Sequence, residues 1–238
     1  MNVGSNSVFL NDFNAIGKEV FGYLTRVGGL KPSDRVLDVG CGVGRMAIQL
    51  APFLSSTGTC DGFDVVKPSI EFCQQRITPK HPNFHFVHAD LFNTNYTPDG
   101  TILPHEFRFP YPDGSFDFIF LSSVFTHMRH REVEHYLAEI SRVMAPGAHC
   151  FATFFLLNEE TKSLIAQGKS AINFKHAVDH GFVVDPNNPD AAIAFDEGYV
   201  SSMHTTAGLR IASTHHGSWR GTATDVGYQD IVLSVKPA

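Results

Sequence analysis

Three glycines spaced two apart, Gly40, Gly42 and Gly44, constrain this chain more than any other feature. They follow a short apolar run, Val36, Leu37 and Val39, which is too brief for a helix and reads as a buried strand. A glycine turn carries no Cβ atoms, so it can take φ > 0 and let backbone approach a ligand closely. Beyond it the apolar period changes, and Val43, Ala47, Leu50 and Leu54 fall on one face of a helix. Strand, glycine turn and helix are the parts of a nucleotide cradle, with the helix N-terminus toward the ligand. The plainer alternative is a tight turn that binds nothing. Three glycines weaken such a turn unless a ligand or packing requires them.

The spacing selects among nucleotides. In the dinucleotide fingerprint G-x-G-x-x-G/A the third small residue would stand where this chain has Arg45, and Gly44 comes one place early. Asp38, two residues before the first glycine, would also set a carboxylate against a pyrophosphate; it suits an ammonium better. An acid followed by G-x-G-x-G resembles the nucleotide-binding motif of the class I S-adenosylmethionine-dependent methyltransferases. The resemblance covers residues 35–157, is specific for the cofactor and says little about the substrate. It implies an α/β fold with a doubly wound, mostly parallel seven-stranded sheet, helices on both faces and an antiparallel last strand (Rossmann-like). Residues 1–238 then form a single methyltransferase domain.

Ahead of the first strand, residues 1–30 predict a helical leader. Asn11 or Asp12 would cap it, and Phe13, Ile16, Val20, Leu24 and Val27 recur at helical spacing before Gly28 and Gly29. In the resembled family such a leader often also closes over the site. A second strand spans residues 59–65 and ends with Asp64 and Val65. Asp64 lies about 20 residues past the turn, the usual place for an acid on a ribose diol. Helix capping before Pro68 is its alternative role; Asp61, inside the strand, is a less reachable rival. Phe84, Phe86 and Val87 mark a third strand, and the resemblance implies that Asp90, with Leu91, meets the adenine amino group.

Residues 93–112 read as a surface loop near the cofactor. A fourth strand from Phe116 is apolar almost throughout, as expected when both faces are covered. Ligands of doubly wound sheets sit beyond the strands' carboxyl ends, which places residues 122–127 at the reaction centre. A helix with Val133, Leu137, Ile140 and Val143 on one face and a fifth strand over residues 150–157 complete the resemblance. Residues 158–200 are an insertion over the end of the fifth strand, forming the acceptor pocket or a lid. A short helix over residues 201–207 and an antiparallel pair of strands, 209–213 and 228–235, end the chain. Trp219 reads as a loop anchor.

Composition narrows the function classes. A net charge of −6 and a pI near 6.1 argue against a nucleic-acid binder, which would show a basic face. Cys41, Cys60, Cys73 and Cys150 form no C-x-x-C pair and read as buried thiols of a reducing compartment. No apolar run approaches the roughly 20 residues that span a bilayer, and the N-terminus lacks a signal pattern. The expectation is a cytoplasmic enzyme.

The resemblance implies that Asp38 and the backbone of Gly40, Cys41, Gly42 and Gly44 hold the amino-acid end of S-adenosylmethionine. Asp64 would hold the ribose and Asp90 with Leu91 the adenine, while Val65 and Ser122, at the ends of the second and fourth strands, would also bind the cofactor. No metal is demanded, since spacing gives His127 and His130 no third ligand. S-adenosyl-L-homocysteine would be the product. A hydroxyl acceptor needs a general base, for which His127 is the first candidate and His130 the second, because imidazole titrates near neutrality. Either could simply serve the adjoining helix. No Pro-Pro-aromatic motif for nucleobase amines follows the fourth strand, and no Pro-Cys pair for pyrimidine attack is present. The acceptor expected is therefore a small molecule or a glycoconjugate, the latter because residues 228–232 resemble methyltransferases of sugar assembly. A non-catalytic protein that binds the cofactor as a regulatory partner, or an RNA or protein methyltransferase, are the rival readings.

Overall fold

The computed structural model describes residues 4–238, with side chains from Phe13 onward. The strands are β1 (Arg35–Val39), β2 (Thr59–Asp64), β3 (Phe84–His88), β4 (Phe116–Leu121), β5 (Met144–Phe154), β6 (Leu156–Leu157), β7 (His176–Val178), β8 (Gly181–Val183), β9 (Ile193–Asp196), β10 (Arg210–His215) and β11 (Asp230–Val235). The helices are α1 (Gly4–Arg26), α2 (Arg45–Leu50), α3 (Lys67–Arg76), α4 (His130–Val143), α5 (Glu159–Ala166) and α6 (Glu197–Thr206). Seven strands form one sheet in the order β10-β11-β5-β4-β1-β2-β3. Neighbours are parallel from β5 to β3, and β11 runs antiparallel to both β5 and β10. This is the doubly wound sheet with an antiparallel last strand that the sequence implies.

Alternation along each strand divides the core between the two faces. Leu37, Val39, Ile119 and Leu121 pack with Val133, Leu137 and Ile140 of α4. Val36, Phe118 and Phe120 face the other way, onto Leu24 of α1, Leu50 of α2 and Ile70 of α3. The strand order reverses between β1 and β4, so the connections leaving their carboxyl ends part and open a cleft there. That cleft is the candidate site.

Several boundaries differ from the sequence reading; β5, for one, begins at Met144 rather than at residue 150. Helix α1 begins at Gly4, so Asn11 and Asp12 lie within it rather than at its start. Helix α2 stops at Leu50 because residues 51–54 tighten into turns, and Val43, left outside it, is 42% exposed. Helix α6 starts at Glu197, four residues early, because the Asp196 carboxylate caps it by accepting from the Gly198 and Tyr199 N–H groups. Residues 158–200 carry order of their own: β6, β9, β8 and β7 make a second, four-stranded sheet. Among the described residues no helix is long and apolar enough to cross a membrane.

One buried carboxylate ties this second sheet to the first. Asp230 accepts from Leu156 N (2.6 Å), Gly217 N (2.7 Å) and Trp219 Nε1 (2.8 Å). Trp219 is wholly buried and edge-on to Phe155 at 5.1 Å and Phe174 at 5.4 Å, the loop anchor that the sequence suggested. Burial raises the Asp230 carboxyl to about 6 despite the three donors, which lower it. Asp230→Ala would leave all three N–H groups unpaired, so unfolding in urea should show a loss of about 2–4 kcal/mol. A change below about 0.5 kcal/mol would remove the carboxylate from this role.

Candidate functional site

The glycine turn is built from internal bonds. Gly40 N and Cys41 N both donate to Phe63 O (2.9 and 3.1 Å), and Gly44 N donates to Cys41 O (3.0 Å). Gly42 N donates to Asp64 Oδ2 at 2.8 Å. These four N–H groups are spent, so they offer a pyrophosphate nothing. Gly44 must be glycine: its φ is +79°, and a Cβ there would strike the Ile77 side chain. Gly42, at φ +52°, has nothing within 4 Å of where a Cβ would stand. That space belongs to the cleft, a cavity of about 310 Å³.

Of the residues that the sequence singled out, Gly40, Gly42, Asp64, Val65, Leu91, Ser122 and His127 line this cavity. Asp38, Cys41, Gly44, Asp90 and His130 do not. Asp38 lies beneath the turn, 3% exposed, and its carboxylate accepts no hydrogen bond among the described residues. Burial, and then the charge of Asp64, hold its carboxyl well above the usual range, with Arg45 opposing. Cys41 is buried, and desolvation pushes its thiol far up, so it is an inert filler. The placement expected for Asp90 is not reproduced: it is exposed and accepts from Thr101 Oγ1 at 2.6 Å, while Leu91 turns inward. His130 packs against the His180 ring at 5.1 Å instead. Asp61 pairs with His85 at 3.5 Å, as a strand-interior acid should.

Asp64 is held at both oxygens, by Gly42 N and by Val66 N at 2.8 Å each. A carboxylate offers about four lone-pair directions, so two remain for hydroxyl donors. Across the cavity, His127 closes the short turn Phe125–His127 that follows β4. Its Nδ1 lies 3.0 Å from the carbonyl oxygen of Asp190, which can only accept. The proton therefore sits on Nδ1, and Nε2 keeps its lone pair. Ser123, beside it, takes φ +60° and donates from its N–H to Thr153 Oγ1 at 2.8 Å.

The sequence offered no sign of Asp190, which comes from the insertion. Its carboxylate accepts from Thr94 Oγ1 (2.9 Å) and Arg129 Nε (3.2 Å), so it clasps the loop after β3 to the start of α4. Asn93, Thr94 and Tyr96 also reach the wall, as do Glu132 and Tyr136 of α4. Tyr136 was legible as a member of the stripe containing Val133, Leu137 and Ile140; Glu132, one turn before it, breaks that stripe with charge. Burial raises the Glu132 carboxyl, against the lowering effect of the Arg129 N–H.

Comparison with known proteins gives concordant likenesses. A family model described as a methyltransferase domain matches residues 36–147. The chain is 28% identical over 122 residues to a 2-phytyl-1,4-naphtoquinone methyltransferase of Nostoc sp., covering 50% of this chain and 46% of that protein. It is 27% identical over 155 residues to a 27-O-demethylrifamycin SV methyltransferase of Amycolatopsis mediterranei, covering 63% and 50%. The matches thus span about half the length of these relatives. The crystal structure of magnesium protoporphyrin IX methyltransferase from Synechocystis, with bound S-adenosylhomocysteine, shares the fold at a TM-score of 0.58. That likeness covers 96% of this chain and 87% of the other at 18% identity.

A raised carboxyl costs the empty protein stability. Asp38 adds to stability fully only below the unfolded carboxylate range, and that contribution is lost as pH rises through its folded value. Asp38→Asn should therefore raise the melting temperature of the unliganded protein, more at pH 8 than at pH 4. An equal increase at both pH values, or none at pH 8, would contradict the burial argument.

Proposed function

We propose that this protein, whose residues 36–147 match a family model described as a methyltransferase domain, is a class I S-adenosylmethionine-dependent enzyme that methylates a hydroxyl of a small molecule. The observation that carries the reading is that one cavity is lined both by Asp64 with the open Gly42 position and by His127, whose Nδ1 the Asp190 carbonyl holds. Cofactor and acceptor would thus meet between them. When bound, S-adenosylmethionine supplies a methyl group already activated by its sulfonium charge.

The chain's own residues position and deprotonate. The backbone at Gly42 lets the cofactor lie against the turn. Asp64, fixed by two N–H groups, accepts from the ribose hydroxyls, and Leu91 covers the adenine. Asp38 waits beneath the turn for the ammonium, which offsets the penalty of burying its charge. The Asp190 carbonyl holds His127 in the tautomer whose Nε2 takes the acceptor's proton as the methyl arrives. Residues 158–200 act as a lid that Asp190 fastens over the cavity to exclude water. Relatives named for quinone and rifamycin methylation support a small-molecule acceptor. Four free, buried cysteines suit a reducing cytoplasm.

Calorimetry with S-adenosylmethionine and assay of S-adenosylhomocysteine release test the reading together. Asp64→Ala should weaken cofactor binding by about 1–3 kcal/mol, the cost of unpaired hydroxyls and lost charge-assisted bonds. Unchanged affinity would remove Asp64 from the site. His127→Gln should lower kcat by about 10²–10⁴-fold, with cofactor affinity near normal. A fully active variant ends its candidacy as base. Asp190→Ala should speed S-adenosylhomocysteine release in stopped flow, and an unaltered rate would mean that the clasp fastens no lid.

A further inference from the structure

The inner face of α4 carries two polar groups that the protein leaves unused. Glu132 and Tyr136 stand four residues apart, the spacing at which side chains share a helix face, and both line the cavity. One oxygen of Glu132 accepts the Arg129 N–H at 2.8 Å; the other accepts nothing among the described residues. Tyr136 is 4% exposed, its ring edge-on to Phe109 and Phe125 with centroids at 5.1 and 6.5 Å. Its hydroxyl makes no hydrogen bond among the described residues. The ring is buried, but the hydroxyl is not among the buried groups left without a partner; it is reached from the cavity, where it is free to bond a ligand's polar group.

Charge then limits what that ligand is. Asp64, Glu132 and Asp190 stand on the wall, and no Lys or Arg does. Arg129, at the start of α4, is committed to Asp190. Resting on the reading that the glycine-turn end holds the cofactor, we propose that Glu132 and Tyr136 form the acceptor subsite for an uncharged or cationic hydroxyl compound. Acceptors bearing a carboxylate or phosphate are refused there. The Tyr136 hydroxyl donates to a ligand oxygen, and the free Glu132 oxygen accepts from a ligand hydroxyl or ammonium. An anion in the same place would face carboxylates with no counter-charge, where little water screens the repulsion.

Three catechols that share a ring and differ in charge test this: methylcatechol, dopamine and protocatechuate. Each is titrated into protein saturated with S-adenosylhomocysteine, and binding is read by saturation-transfer NMR. Methylcatechol and dopamine should bind at least about tenfold more tightly than protocatechuate. Glu132→Gln, which keeps an oxygen for the Arg129 N–H, should shrink that preference to under about threefold, and Tyr136→Phe should weaken methylcatechol about fivefold. S-adenosylhomocysteine affinity should stay within about twofold in both variants. Equal binding of all three catechols, binding of none, or a loss of S-adenosylhomocysteine affinity in either variant overturns the assignment. Failure of S-adenosylhomocysteine to bind the wild type would overturn the cofactor reading instead, and the charge preference would still be read on the unloaded protein.

Discussion

Everything at the carboxyl end of the sheet depends on one carboxylate bonded twice to backbone. Asp64 joins Gly42 N to Val66 N, and so fastens the turn after β1 to the turn after β2. Without it, two loops leaving neighbouring strands would each hold a half-buried N–H without a protein partner. With it, the glycine turn becomes a rigid wall whose remaining polar capacity points into the cleft. In the proposed complex the same residue is both brace and ligand, which a carboxylate can be because it has lone pairs to spare.

The second constraint comes from outside the sheet. Residues 158–200 fold into a small sheet that Asp230 and Trp219 anchor to β11 and β6, and this anchoring carries Asp190 to the cavity mouth. A single residue there touches the loop after β3, the turn after β4 and the start of α4. It sets the tautomer of His127 through a main-chain carbonyl, so the polarity of the proposed base is fixed by backbone position rather than by the identity of a side chain. The inner face of α4 adds Glu132 and Tyr136, two further groups on the wall with hydrogen-bonding capacity left open.

Much of this was legible in the sequence, and for a physical reason. Local patterns report local constraints: the apolar runs gave the strands of the doubly wound sheet, the glycine spacing gave the turn, and the carboxyl-edge rule placed Ser122 and His127 at the cleft. Asp64 was found because its offset from the turn is set by one strand–turn–helix unit. Asp90 was misplaced because Leu91 N bonds Ala89 O at 2.8 Å, a tight turn centred on Asp90 that leaves its side chain outside with Thr101 while Leu91 meets the cavity. Asp190 was invisible because its contacts lie about 61–96 positions away in the chain. The start of α6 was missed for a smaller reason, since Gly198 masked a helix that the Asp196 cap begins.

The central claim is that S-adenosylmethionine and its product lie across this cleft between Asp64 and His127. A crystal structure of the protein grown with S-adenosylhomocysteine tests it most directly. The account predicts ribose hydroxyls on the Asp64 carboxylate, adenine against Leu91, and the sulfur directed toward the side of the cavity that His127 Nε2 faces. A ligand seated elsewhere, or one whose ribose makes no contact with Asp64, would contradict it.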